Sequence, residues 1–212
     1  MGTGSAVKRL VAMLALAASV AISAPVRADL SADESARIAR GETITHEQTI
    51  QRGDKRYVGG ITYTVVQATA EEMDALFDDV RSYRRVLPRT KDARLIGQNG
   101  PDMFVELHQG NALVEAAYTL RIRKERAANE VRFWLDPTKP HAIADAWGFF
   151  RYAPMADGDT PKVLLTYGIL VDLGPGLVRD LFEERVREAM LSVPQRVRGY
   201  VTENVRADAR LW

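Results

Sequence analysis

The chain of 212 residues contains no cysteine, only three histidines and 8% aromatic residues, and its formal net charge is +1. Without cysteine there are no disulfides, no thiolate-ligated zinc, no iron–sulfur cluster and no thiol nucleophile. The charge balance excludes a strongly basic nucleic-acid binder, and no nucleic-acid partner is expected. His46, His108 and His141 fall on different expected elements without metal-ligand spacing, so no metal or other cofactor is expected. Glycine-rich phosphate loops, nucleophile elbows and Ser-x-x-Lys motifs are missing as well. What is present is 46% hydrophobic and 27% charged residues, the composition of a globular chain able to bury a core.

Apolar runs are short too. Leu10 to Ala24 is an apolar or small-residue stretch of 15 residues behind Lys8 and Arg9. A membrane span needs about 20, so the stretch reads as a signal-peptide core. Val26, Arg27 and Ala28 give a small-x-small ending, with cleavage expected after Ala28 or else after Ala24. The alternative is an uncleaved amino-terminal anchor. Export to the periplasm or beyond the cell would leave 184 residues carrying 26 basic and 28 acidic side chains. Such a domain, lacking disulfides, depends on the size of its core.

Ser31 and Glu34 have capping-box spacing ahead of a short helix ending near Gly41. Two β-rich runs, 43–50 and 57–67, read as a hairpin turned by Arg52, Gly53 and Asp54. Thr69 starts an amphipathic helix with Met73, Leu76, Phe77 and Val80 on one face, and a short helical piece at 82–86 is stopped by Pro88. Period-2 strands follow at 93–98, 103–109, 113–124, 130–136, 142–152 and 162–172, with connections short enough to force an antiparallel meander. Apolar residues then recur at helical spacing from Leu177 to Val201, a helix of roughly 28 residues with a kink expected near Pro194.

The segment VVQATAEEMDALFDDVRSYRRVLP, residues 65–88, and the closing TYGILVDLGPGLVRDLFEERVREAMLSVPQRVRGYV, residues 166–201, resemble the opening and closing patterns of the START-like, or SRPBCC, superfamily of polyketide cyclases and lipid-transport proteins. The resemblance implies an α+β helix-grip fold, in which a curved antiparallel sheet wraps around a long carboxy-terminal helix. It divides the chain into a signal peptide (1–28), an extension (29–42), a START-like domain (43–206) and a short tail (207–212). It also implies a cavity for a hydrophobic small molecule.

Alternation places Val131, Phe133 and Leu135 on one face of their strand, with Ala116, Tyr118, Leu120 and Ile122 on a second strand facing the last helix. By the same counting Tyr63, Val65, Met103, Val105, Leu107, Val163, Leu165, Tyr167, Ile169 and Val171 point inward. On 142–152 either parity carries aromatics: Trp147 and Phe149 go with Asp145 and Arg151, while Phe150 and Tyr152 go with Ala144, Ala146 and Gly148. An inward Asp145 face would put an Asp145–Arg151 pair in the cavity; an outward one would leave that pair in solvent. The candidate ligand contacts are Tyr63, Met103, Val105, Tyr118, Leu120, Phe133, Trp147, Phe149, Tyr167 and Ile169 on strands, and Phe182, Val186 and Met190 on the helix.

Three functions fit this reading. The first is an exported carrier of a lipid, sterol-like or polyisoprenoid compound. The second is a cyclase or aromatase in the same cavity, with Glu106, His108, Asp145 or a tyrosine as acid or base. The third is a protein-interaction module whose core is filled, since a filled core has the same periodicity. Arg81, Arg84, Arg85, Arg89, Lys91 and Arg94 cluster around Pro88 and suit either ordinary solubility or contact with an anionic membrane surface, where each basic side chain would add to the attraction.

Overall fold

The computed structural model describes residues 30–110, 115–156 and 160–208. The expected signal peptide and the first two residues of the strand expected over 113–124 lie outside them.

Helix α1 (Ala32–Ala39) begins at the expected capping box: the Glu34 amide donates to the Ser31 hydroxyl at 3.2 Å and the Ser31 amide to the Glu34 carboxylate at 2.9 Å. Strands β1 (Ile44–Arg52) and β2 (Lys55–Val66) form the hairpin. Helix α2 (Ala70–Asp78) repeats the box with Thr69 and Glu72, at 3.1 and 2.7 Å, and buries Met73, Leu76 and Phe77. A 3-10 turn at Val80–Ser82 leads into α3 (Tyr83–Val86), and Leu87 is already extended because the proline after it disfavours helix.

The meander is β3 (Thr90–Asn99), β4 (Asp102–Gly110), β5 (Glu115–Glu125), β6 (Glu130–Leu135), β7 (Asp145–Met155) and β8 (Lys162–Asp172). β8 then pairs antiparallel with β2, giving one eight-stranded sheet in the order β1-β2-β8-β7-β6-β5-β4-β3. The pairing of β8 with β2 is long-range and has no counterpart in local periodicity. Curvature is eased where β6 and β7 meet. A Cβ on Gly148 would lie 2.4 Å from Phe133 Cζ and 2.3 Å from the Gly168 carbonyl oxygen, so only glycine lets the Phe133 ring fold over β7.

The carboxy-terminal helix is two helices, α4 (Leu177–Leu191) and α5 (Val193–Asp208), separated at Ser192. The expected kink is a full break because Pro194, lacking N–H, fits the first turn of a new helix better than the interior of an old one. The Thr62 hydroxyl donates to the Leu191 carbonyl at 3.2 Å, securing the chain at the break.

The main core fills the concave side between the sheet, α2, α3 and α5, with Val193, Val197 and Val201 of α5 at most 2% exposed. A second cluster lies on the convex side, where Ile38 of α1 packs with Ile44, Ile61 and Tyr63. This corrects the expected facing of Tyr63 and Val65. On β2 the residues toward the last helices are Thr62 and Thr64, which hydrogen-bond to Leu191 and Arg198, while the apolar parity belongs to the layer made by α1.

Candidate functional site

Between the concave sheet and α4 lies a cavity of ≈ 520 Å³. Its inner wall is a run of rings: Phe77 and Phe150 are 4.6 Å apart, Phe150 and Tyr167 also 4.6 Å, and Phe133 lies 5.8 Å from Phe150. Strand side chains Leu107, Tyr118, Leu120, Ile122, Val131 and Ile169 form the sides, and α4 covers it with Phe182, Val186, Ala189 and Met190. The exposed lining residues mark the mouth: Arg89, Glu115, Ala142, Pro175, Gly176 and Arg185. Ala116 and Ala146 are small where a filled core would place larger groups, which is the local reason for the space.

Few polar groups reach this surface. The Tyr83 hydroxyl donates to the Phe77 carbonyl at 2.9 Å. Gln109 Nε2 donates to the Pro88 carbonyl at 3.2 Å and to the Thr90 hydroxyl at 2.9 Å, and Gln109 Oε1 accepts from the Tyr118 hydroxyl. This network staples the turn after α3 to β4 and β5 and so shapes the mouth. Burial pushes the Tyr118 and Tyr167 phenols well above their ordinary range, so both stay neutral.

Of the sequence candidates, Tyr118, Leu120, Phe133, Tyr167, Ile169, Phe182, Val186 and Met190 line the cavity. Five do not. Val105 is fully buried and Met103 partly so, but both belong to the packed core. Tyr63 is on the convex side, as described above. Trp147, 45% exposed, and Phe149 are convex too: β7 turns Ala146, Gly148, Phe150 and Tyr152 inward, because its small residues make room for Phe133 and its Phe150 completes the ring wall. The candidate acids and bases are likewise outside the cavity. His108 Nε2 is 3.4 Å from Glu106 Oε2 on the half-exposed face of β4. Asp145 accepts from Lys55 Nζ at 3.0 Å and from the Tyr57 hydroxyl at 2.7 Å, while Arg151 donates to Glu130 at 2.9 Å, so the considered Asp145–Arg151 pair is replaced by two others.

The basic cluster is largely engaged: Arg81 pairs with Asp79, Lys91 with Glu115 and Arg94 with Asp92, while Arg85 stands 5.9 Å over the Tyr200 ring. Arg84 is exposed and Arg89 borders the mouth. Sequence reasoning missed Phe77, Phe150, Gln109 and Arg185 as lining residues. For Phe77 and Phe150 the signal was available in helical spacing and strand parity. For Gln109 and Arg185 there was none, since only the closure of the fold brings them to one rim. Among the described residues no group of three or more His, Asp or Glu is placed to hold a metal ion.

No family model and no curated protein matches the sequence. Solved structures do match the fold. A STAR-related lipid transfer protein (fragment 25–204) from Xanthomonas axonopodis superposes with a TM-score of 0.62 at 16% identity, over 75% of this chain and 93% of that one. TTHA0849 from Thermus thermophilus superposes with a TM-score of 0.55 at 15% identity, over 70% of this chain and 97% of that one. Eight antiparallel strands curving around a bent carboxy-terminal helix, with these relatives in shape, make the fold of this chain the START-like helix-grip fold.

Proposed function

We propose that this chain is an exported carrier of a hydrophobic small molecule, a lipid, sterol-like or polyisoprenoid compound, held between the sheet and α4. The observation that carries the reading is the apolar cavity of ≈ 520 Å³, within the range of small-molecule sites and lined by aromatic and aliphatic side chains with few polar handles. Burial of ligand surface there contributes roughly 25 cal/mol per Å². The lipid-transfer protein of similar fold supports the same class of cargo. Export rests on Lys8, Arg9 and the stretch Leu10–Ala24. A cyclase reading loses its carboxylate and histidine candidates, because Glu106, His108 and Asp145 do not border the cavity, and the Tyr118 and Tyr167 phenols that do are held neutral by burial.

Loading and release require α4 to lift, with the bend at Leu173–Gly176 and the break at Ser192 as its two ends. Arg89 and Arg185 at the mouth, with Arg84 and Arg85 beside it, suit approach to an anionic membrane surface. The test is to purify the mature protein from its natural host, extract it with organic solvent and identify the extract by mass spectrometry. A stoichiometric hydrophobic compound is expected; protein that is ligand-free and takes up no added lipid refutes the carrier.

A further inference from the structure

Three of the four neutral polar side chains that line the cavity are matched. Tyr83 is engaged by Phe77, and Tyr118 and Gln109 are engaged by each other and by the turn at Pro88. Tyr167 is 2% exposed and borders the cavity, yet its hydroxyl meets no hydrogen-bond partner among the described residues. Its ring is held by Phe150 at 4.6 Å and Phe133 at 6.3 Å, both stacked, so the phenol is not free to swing toward one. The hydroxyl is open to the cavity rather than sealed in the core, and a polar group in an otherwise apolar pocket is what fixes the orientation of an occupant.

The lining also limits what can answer it. The cationic side chains of the lining, Arg89 and Arg185, sit at the exposed mouth, away from the ring wall. A carboxylate or phosphate pushed to Tyr167 would be buried without a counter-charge, which is strongly unfavourable. A neutral oxygen brings no such cost and takes the phenol's proton directly.

We propose that the cavity's occupant carries a neutral oxygen acceptor, a hydroxyl or carbonyl, at its buried end, and that the Tyr167 hydroxyl donates a hydrogen bond to it. This rests on the carrier reading and narrows it to neutral, singly oxygenated hydrocarbons bound oxygen first, as against fatty acids or phospholipids entering by their headgroups.

Tyr167→Phe removes the donor and keeps the ring. Displacement of Nile red by dodecane, undecanol and undecanoate, probes of similar length, is measured on the wild type and the variant. The expected result is a loss of about 5- to 10-fold in undecanol affinity on substitution, with dodecane unchanged or slightly tighter and undecanoate following dodecane. The empty variant is expected to melt close to the wild type, because no hydrogen bond within the protein has been taken away. Equal losses for undecanol and dodecane, or a clear fall in the melting temperature of the empty protein, overturn the assignment while leaving the carrier in place. Failure of all three probes to bind the wild type overturns the carrier reading, and this inference with it.

Discussion

Replacing Glu183 with glutamine is predicted to accelerate ligand release without unfolding the protein. Helix α4 covers the cavity with the half-buried side chains of Phe182, Val186 and Met190, whereas α5 sinks Val193, Val197 and Val201 into the core. Among the described residues, two ion pairs tie α4 to the β1–β2 hairpin. Arg56 donates to Glu183 through two bonds of 3.1 and 2.9 Å, and Arg187 reaches Glu47 at 3.2 Å. The first pair is bidentate and its Glu183 side chain only 18% exposed, but Arg56 is 42% exposed, and solvent screening there keeps the pair well below the strength of a buried one. If the pair is made in the closed state and broken in the open one, its loss shifts the opening equilibrium about 5-fold, the upper end for a screened pair. Stopped-flow transfer of a fluorescent lipid analogue into excess vesicles reads this directly: Glu183→Gln should release the analogue about 5-fold faster. Added salt should accelerate the wild type toward the variant's rate and affect the variant less. Equal release rates in two proteins of equal stability refute α4 as the moving element.

Three further outcomes follow from the same structure. Gly148→Ala places a methyl 2.3 Å from a backbone oxygen, which cannot step aside as a side-chain tip does, so urea denaturation should show a loss of about 2–3 kcal/mol; a loss under about 0.5 kcal/mol would mean that the sheet yields there. Asp102, 3% exposed, has its pKa held down at about 2 by hydrogen bonds from Arg123 that, with those from Arg121, outweigh burial. Because the folded value lies below the unfolded one, its contribution is complete above about pH 4 and fades toward pH 2, so Asp102→Asn should cost about 2 kcal/mol at pH 7 by urea titration, and a cost that stays constant down to pH 2 contradicts the assignment. Glu106→Gln and His108→Ala should leave lipid uptake unchanged in a vesicle-transfer assay, and a tenfold loss from either would reopen the search for chemistry on the face of β4.

Where a physical constraint acts over a few residues, the chain could be read directly. The box at Ser31–Glu34, the helix start at Thr69, the stop at Pro88, the interruption near Pro194 and the inward parities of β5, β6 and β8 all belong to this class. Tyr63 was placed on the wrong face because alternation names two faces without saying which element covers each, and α1 covers the one it belongs to. β7 was ambiguous because it carries aromatics on both sides, and its facing is decided by the small residues that admit Phe133. Asp78 and Glu183 pair with Lys124, Arg126 and Arg56 across the fold, contacts that no local spacing announces. Hollowness is the least local property of all, since the cavity is what remains after distant segments have packed.

The break at Ser192 gives this protein a division between what holds it together and what it recognises. Stability resides in α5, the ring wall and the sheet; the shape presented to a ligand is set in large part by α4. Residues such as Phe182 and Val186 can therefore be exchanged for others of different size with little effect on the packing of Val197 or Val201. In an unbroken helix, every change in the cavity's roof would be transmitted along a rigid rod into the core. With the rod cut in two, cargo preference can drift through substitution while the scaffold stays the same.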